Sequence, residues 1–433
     1  MKAGKLAQIL AYLIAGILVL LPFHALFTTW LGYNFGHLDL FRIWKELLLL
    51  PLGLGALWLL HKDTATQKWL KQAGLWWLII GYIGLHLVLG VIALQQHRVS
   101  ANALIYALLS NLRFVIFFVI CLVVARQTEW LEAHWKQMVL IPAGIVIVFG
   151  LLQHFVLPID WLRHFGYGPK TIPAYQAVDQ KLAYARVQST LRGANPLGAY
   201  LVLILANLVA LVFGDNKGRN WWLGGTALAT ATLFFTYSRS AWIGALVVIG
   251  IIVWRSLKQA TLKRYLLIAA AAVLVLGAGG IFALRNNDRV QNTLFHTDEH
   301  SRSSDSSNFD RATALKNGLT DIVHEPWGRG PGTAGPASVR NNHPARIAEN
   351  YYLQIGQEVG VIGLLLLISI NLLVAVALFR QSGSLSLALS ASLIGLTLVN
   401  MLSHAWGDDT LSLLWWGLVG IALAPSITRR SRT

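Results

Sequence analysis

Two arginines stand beside signals for a helix start or a tight turn. Arg192 precedes Asn195 and Pro196, which suit a helix start because Asn can cap free N–H groups and Pro is tolerated at the first helical position. Arg239 lies in a very short turn between two apolar runs. A helix amino terminus with an adjacent arginine is a favourable anion site. These positions indicate an anionic ligand, although capping alone would explain Asn195 and lipid head groups alone could hold Arg239.

A second group of residues contains a candidate base that could accept a proton from a substrate hydroxyl. Arg346, Glu349 and Asn350 arrive together where a long polar segment gives way to an apolar run. A carboxylate partly withdrawn from water can serve as a general base, because its pKa is raised. At a helix start Glu349 could equally do no more than complement the helix dipole. His343 and His324 are further candidates for the base, and each could instead be an ordinary surface residue.

Arg113 lies near the middle of an apolar run, where a charge is expensive and normally faces the protein interior or a wet cavity. This favours a substrate contact over a structural ion pair. Arg42 and Glu46 are four residues apart near the start of another run. They could pair on one helix face or line a cavity.

No pattern in the chain indicates a metal or a cofactor. Asp408 and Asp409 are adjacent acids in a short loop, which is weak evidence for a divalent ion. The single cysteine, Cys121, excludes disulfides within the chain and thiolate metal clusters. The zinc, nucleotide and serine-nucleophile motifs are also absent from the sequence. We therefore predict that no metal and no cofactor is required.

The elements that position these residues follow from composition. Of 433 residues, 55% are hydrophobic and 12% are charged, and the charged fraction is about half that of a soluble domain. This excludes a water-soluble enzyme. A bilayer-spanning helix needs about 20 apolar residues, so the sequence predicts an all-α polytopic membrane protein, one membrane domain over 1–433 with about 12 transmembrane helices. The predicted spans are 7–27, 39–60, 74–94, 102–125, 137–157, 194–213, 220–236, 239–254, 265–284, 350–379, 385–403 and 409–427.

The distribution of Lys and Arg predicts the orientation of these spans. Basic residues accumulate at both termini and in one set of short loops, which predicts that both termini are cytoplasmic. The opposite, periplasmic face then carries two long loops, 158–193 and 285–348, the larger one between the ninth and tenth helices. They hold thirteen basic residues, although the topology rule disfavours positive charge there. This predicts an anionic ligand on that side, or salt bridges to the acidic residues between Asp288 and Asp321.

The larger loop contains two local signals. The residues around Arg311 to Val323 predict a short amphipathic helix, and the Gly and Pro residues from Pro326 to Gly335 predict a turn-rich segment. The glycines could serve tight turns only, or let backbone amides approach phosphate oxygens.

Four segments, in this order, resemble the bacterial O-antigen ligase and O-antigen polymerase family. They are RVQSTLRGANPLGAYL, SRSAWIGAL, the run from Pro326 to Gly332, and ENYYLQIGQEVGVIG. The resemblance covers 186–380. It implies a polytopic membrane glycosyltransferase that takes a glycan from an undecaprenyl diphosphate carrier and transfers it outside the cytoplasmic membrane. Ligases of the family pass the glycan to lipid A-core, and polymerases pass it to another carrier-linked repeat unit.

The resemblance also implies residue roles. Arg192 and Arg239 match the family's diphosphate-binding arginines, and the implied reaction is an inverting displacement without a metal ion. Ligases of this family typically carry His directly before Asn350, where this chain has Glu349. Glu349 could supply the same base, or it could mark a polymerase or another branch.

Together these arguments predict an O-antigen ligase of the bacterial inner membrane, with a polymerase as the alternative and a lipid-linked glycan transporter or flippase as the rival from another class. The expected partners are the carrier-linked donor, lipid A-core or another glycan acceptor, and membrane lipids, with no nucleic acid. We expect Glu349, Arg239 and Arg192 to be catalytic. The predicted substrate contacts are Arg186, Arg113, Arg311, Arg346, Asn350 and His343.

Overall fold

The described part of the chain forms a bundle of helices with two short paired strands. The computed structural model describes residues 3–72, 74–178, 181–265 and 307–424, with isolated positions 280, 282–284, 287 and 290. The helices are α1 (Ala3–Leu20), α2 (His24–Phe35), α3 (Leu38–Arg42), α4 (Trp44–Lys62), α5 (Thr64–Gln72), α6 (Gly74–Gln95), α7 (Ala101–Gln127), α8 (Trp130–Phe155), α9 (Ala194–Gly214), α10 (Arg219–Phe234), α11 (Arg239–Ser256), α12 (Ser307–His324), α13 (Tyr351–Phe379), α14 (Ser384–Asn400) and α15 (Asp409–Leu423). Strands β1 (Gln176–Val178) and β2 (Lys181–Arg186) pair antiparallel.

The all-α polytopic class is confirmed. Within the described residues, seven helical segments are long and apolar enough to cross a membrane, and α14 and α15 are shorter apolar helices. The first of the seven joins α1 and α2 through a 3-10 turn over Leu21–Phe23, so it is longer than the predicted 7–27. The total of about 12 spans stays a prediction, since 265–284 lies almost wholly outside the described residues.

The core of the bundle lies around α9. Nearly every residue of α9 is buried, as expected for a helix that is apolar on all sides. Helices α10, α11 and α14 surround it. Small residues allow close packing there, since a Cβ on Gly395 would lie 2.7 Å from the Gly244 carbonyl oxygen. Helix α15 packs along α7 in the same way.

The loops separate to two ends of the bundle. At one end, Val187 N donates to Phe235 O and Tyr351 N donates to Ser403 O. We call it the arginine-rich end, comprising residues 21–43, 95–100, 156–178, 181–194, 235–239, 325–350 and 401–409. At the opposite end, Thr128 contacts Gln8. Loops of the two predicted sides therefore lie at different ends, while the compartment that each end faces stays a prediction.

Helix α13 is kinked where the turn-rich segment contacts it. Val359 and Gly360 have non-helical backbone angles, with φ +70° at Gly360. The segment 326–332 supplies partners for the backbone groups that the kink frees: Gly330 N donates to Glu358 O at 2.7 Å, and Val361 N donates to Pro326 O at 2.8 Å. The predicted turns are thus present, packed against the kink. The amphipathic helix that the sequence predicts before them is α12.

Candidate functional site

A polar cavity of about 390 Å³ opens at the arginine-rich end, between α2, α4, α7 and the start of α15. We call it the cationic cavity. Its charged lining is mostly basic, because two acidic side chains, Glu46 and Asp409, face a larger set of cations. Those cations are Arg42, Lys45, Arg113, Arg192 and Arg340.

Arg113, predicted as a substrate contact, reaches this cavity from the middle of α7. Its Nη1 donates to Glu46 Oε1 at 3.0 Å and its Nη2 donates to Gly407 O at 3.1 Å. The competing structural ion pair therefore forms, and the guanidinium still lines the cavity. Of the two alternatives for Arg42 and Glu46, the pair is wrong, since Arg42 pairs with Asp39 at 3.4 Å, and cavity-lining is confirmed, since both residues line the cationic cavity. The pair does not form because α3 ends at Arg42, so residues 42 and 46 do not share one continuous helix.

Lys45 is almost fully buried, with 2% of its surface exposed. Its Nζ lies 2.7 Å from Asp409 Oδ2, and His24 Nε2 lies 3.2 Å from the same oxygen. A buried charge is expensive unless it is paired, so this carboxylate stabilises a cation that faces the cavity. The carboxylate is thus occupied by side chains. Within the described ranges, no group of three or more His, Cys, Asp or Glu residues could hold a metal ion.

Arg192 projects into the same cavity from the segment before α9, with 45% of its side chain exposed. Its Nε lies 2.6 Å from Asp408 Oδ2. Asp408 also accepts from Leu411 N at 3.1 Å and so caps α15. One carboxylate therefore sets both the start of α15 and the position of Arg192. This role of Asp408 is not visible from the sequence, since 216 positions separate 192 from 408.

Arg186 and Arg239 lie on a neighbouring patch. The predicted cap at Asn195 is wrong, because α9 begins at Ala194 after Gly193. Asn195 Oδ1 instead accepts from Arg186 Nη2 at 2.5 Å, and Arg186 Nε donates to Thr236 O at 2.8 Å. Arg239 is the first residue of α11, three positions beyond Thr236, and is half-buried. Neither arginine is among the residues that line the cationic cavity.

Glu349 adopts a strained backbone. Its φ is +49°, a left-handed conformation that costs a non-glycine residue on the order of 1 kcal/mol. Asn350 holds this turn: it caps α13 by accepting from Leu353 N at 3.0 Å and donates to Met401 O at 3.0 Å. Strain of this kind persists where surrounding contacts enforce it and often marks functional sites. Glu349 itself is half-buried.

Arg346 and His343 lie in a different, larger cavity of about 780 Å³ beside the segment 326–332. We call it the loop cavity. Arg346 Nη2 lies 2.7 Å from Asp321 Oδ2 and 3.2 Å from Glu325 Oε2, so for this arginine the salt-bridge alternative holds. His343 is exposed. Arg311 falls in α12, but its side chain lies outside the described residues.

Glu358 is a buried carboxylate that the sequence analysis missed. It is fully buried, and its two oxygens accept from Gly332 N at 2.8 Å and from Asn111 Nδ2 at 2.6 Å. It thereby joins the turn-rich segment to α7. Glu358 could have been identified from the sequence, because an ionisable residue inside an apolar run is rare without a partner or a function.

Comparison with known families adds one finding. Residues 224–368 match the model of the O-antigen ligase family. The matched segment contains Arg239, the turns from Pro326 to Gly332, and Glu349 with Asn350, whereas Arg113, Arg186 and Arg192 precede it. No curated protein gives a significant match to the chain. The resemblance stated from the motifs is thus confirmed over this segment, which supports a membrane glycosyltransferase of the O-antigen ligase or polymerase type.

Proposed function

We propose that this protein, which carries an O-antigen ligase-type segment within a multi-pass helical bundle, transfers a glycan from undecaprenyl diphosphate to lipid A-core on the periplasmic side of the inner membrane. The observation that carries the proposal is the charge of the cationic cavity. Five basic side chains line it, and four carboxylates contact them: Asp39, Glu46, Asp408 and Asp409. The remaining excess of one positive charge suits an anionic ligand such as a diphosphate diester.

The reaction needs charge stabilisation at the leaving group. The acceptor hydroxyl oxygen attacks the anomeric carbon from the side opposite the diphosphate, the bond from carbon to diphosphate oxygen breaks, and its electron pair leaves with the diphosphate. The leaving group thus gains one negative charge. Fixed arginine donors stabilise it, and each such contact contributes on the order of 3 kcal/mol. No general acid is required, because the leaving group departs as an anion.

Glu349 is the proposed base for the acceptor hydroxyl. A positioned base contributes about 100-fold or more. Glu349 has a left-handed backbone that the Asn350 cap holds in place, and the residue is neither fully buried nor fully exposed. Arg192, in the cationic cavity, and Arg239, on the neighbouring patch outside it, are the proposed diphosphate contacts. Arg113 supports them from the cavity and Arg186 from the patch. The proposed roles of Arg311, Arg346, Asn350 and His343 are substrate contacts along the loop that precedes α13.

A polymerase is the second candidate, and one residue favours it. Glu349 stands where ligases of the family typically have His. The two reactions share the donor chemistry and differ in the acceptor.

The glycolipid profile of a deletion strain separates these functions. Lipopolysaccharide and carrier-linked glycan are resolved separately in the deletion strain and in its complemented control. Bare core together with accumulated long carrier-linked chains supports the ligase. Core capped with a single repeat unit supports the polymerase, and an unchanged profile in a strain that makes O-antigen contradicts both.

Transfer by the purified protein tests the enzyme class. In detergent no sealed compartment exists, so a transporter or flippase converts nothing, whereas the proposed enzyme turns carrier-linked glycan and acceptor into product. Arg192→Ala and Arg239→Ala should abolish transfer while the protein still inserts and folds. Arg163→Ala is the matched control, because Arg163 is exposed and its ion pair within the described part of the chain is with Asp160, three positions away. Wild-type turnover in either test variant removes that arginine from the mechanism.

The base is tested by two substitutions at one position. Glu349→Gln should lower kcat by about 100-fold or more, and Glu349→His should restore part of it. Full activity of the Gln variant excludes Glu349 as the base.

A further inference from the structure

The loop cavity adjoins the cationic cavity through a shared wall. Arg340 lines the cationic cavity and lies over the Tyr106 ring at 4.3 Å, whereas the next residue, Asn341, lines the loop cavity. Asn341 is held on both sides: its Nδ2 donates to Gly332 O at 2.7 Å and its Oδ1 accepts from Ser100 N at 2.9 Å. The linings of the two cavities therefore meet at these two consecutive residues.

The lining of the loop cavity combines an aromatic plate with polar groups. Trp327 is 72% exposed, although it belongs to a tightly packed turn. Around it lie hydroxyl, amide and imidazole groups that can donate or accept hydrogen bonds, from Thr333, Gln96, His97, His324 and His343. A sugar ring presents an apolar C–H face and a rim of hydroxyls. The C–H face can stack on the flat indole, and the hydroxyls can form hydrogen bonds with the polar neighbours.

The charge of the cavity favours a glycan with an anionic group. Arg329 Nε lies 2.6 Å from Glu325 Oε1, and Arg346 contacts the same residue and Asp321. Arg98 is exposed and, among the residues that the structure describes, forms no ion pair. Three arginines thus face two carboxylates, which leaves one positive charge for a ligand.

The turn that carries Trp327 is held rigidly. A Cβ on Gly328 would lie 2.5 Å from the Glu358 carbonyl oxygen, and one on Gly330 would lie 2.3 Å from Ala93 Cβ. Both glycines have positive φ, at +79° and +107°. The buried Glu358 carboxylate fixes the next part of the turn through Gly332 N. A platform fixed in this way loses little conformational entropy when a ligand binds.

We propose that the loop cavity is the binding site for the acceptor glycan, an oligosaccharide that carries a phosphate or carboxylate group, with the Trp327 indole stacking on a sugar ring and Arg98 contacting the anionic group. The role as acceptor site rests on the proposed function, whereas the binding itself does not. The lining of the loop cavity meets that of the cationic cavity at Arg340 and Asn341, so the proposed donor and acceptor sites are neighbours.

Binding of a soluble oligosaccharide to the purified full-length protein tests this site. The probes are the deacylated, phosphorylated core oligosaccharide of lipopolysaccharide and its dephosphorylated form, measured by calorimetry. Trp327→Ala should weaken binding of both by about tenfold, while Trp327→Phe should retain most of the affinity. Arg98→Ala should weaken binding of the phosphorylated probe only, and added salt should reduce that difference. Trp221→Ala is the matched control, because Trp221 is also exposed, at 84%, but lies on α10 at the opposite end.

The outcomes separate this site from the proposed function. The acceptor site is overturned if neither probe binds the wild type. It is also overturned if Trp327→Ala binds the probes with unchanged affinity, and in that case Trp327 acts only as a membrane anchor. In the transfer assay Trp327→Ala should raise the acceptor KM and leave kcat nearly unchanged. A wild type that binds the probe but transfers no glycan contradicts the proposed function and leaves the binding site standing. A wild type that transfers normally, with an unchanged acceptor KM in Trp327→Ala, contradicts the site alone.

Discussion

Replacement of Glu358 tests whether one buried carboxylate holds the turn-rich segment against the kinked helix. In Glu358→Ala, Gly332 N and Asn111 Nδ2 both lose their acceptor. Each buried donor left without a partner costs about 1–3 kcal/mol, so the loss is about 2–6 kcal/mol, with a further cost for the space left behind.

Glu358→Gln should be far milder. A glutamine keeps one oxygen for Gly332 N and places an amide N–H₂ against Asn111. The Asn111 amide can rotate by half a turn so that its Oδ1 accepts from the new amide N–H₂. This oxygen is free to do so, because it is buried and has no hydrogen-bond partner among the described residues. Two hydrogen bonds can therefore re-form, and we expect a loss of about 1 kcal/mol or less.

Hydrogen exchange of the segment 326–335, followed by mass spectrometry in detergent, measures this difference. A loss of about 2 kcal/mol lowers amide protection by about 30-fold. Glu358→Ala should therefore lose at least that much, while the Gln variant stays close to the wild type. Asn371→Ala is the matched control, since Asn371 is buried on the same helix and lies outside the loop contacts. Equal protection of the segment in wild type and Glu358→Ala would refute the reasoning.

Three further outcomes are expected, each read from thermal unfolding in detergent. Asp409→Asn should cost about 3 kcal/mol, because the buried Lys45 loses the nearer of its two carboxylates and keeps only Glu46 at 3.3 Å. Asp39→Asn, at an exposed pair, should cost under about 1 kcal/mol; equal effects contradict the buried network. Gly330→Ala should destabilise because its Cβ would meet α6, while Gly168→Ala, with open space around it, should not. Burial, and secondarily the charge of Arg192, lowers the pKa of His404 from 6.5 to about 4. Stability should therefore fall as pH drops from 6.5 towards 4, and His404→Asn should remove the part of that dependence that comes from His404; an unchanged pH profile in the variant contradicts it.

Much of the fold was predictable because it depends on local pattern. The apolar runs predicted the helices, and glycine and proline spacing predicted the turns from Pro326 to Gly335. The helix before those turns follows from the 3.6-residue periodicity around Arg311 to Val323. The two wrong predictions, the Asn195 cap and the Arg42–Glu46 pair, both depended on where a helix begins or ends. Asn195 lies one position after the start of α9, and a break at Ile43 separates Arg42 from Glu46.

By itself, the sequence determined the membrane class, the concentration of arginines in the long loops and the O-antigen ligase resemblance, since each depends on composition or on contiguous motifs. Only the tertiary structure decided which charges meet. Arg113 pairs with Glu46, and Glu358 binds Asn111 from 247 positions away. Helical spacing identifies neighbours three or four residues apart and says nothing about partners on other helices. Those partners depend on how the helices pack, and packing places the cationic cavity and the loop cavity on either side of one wall.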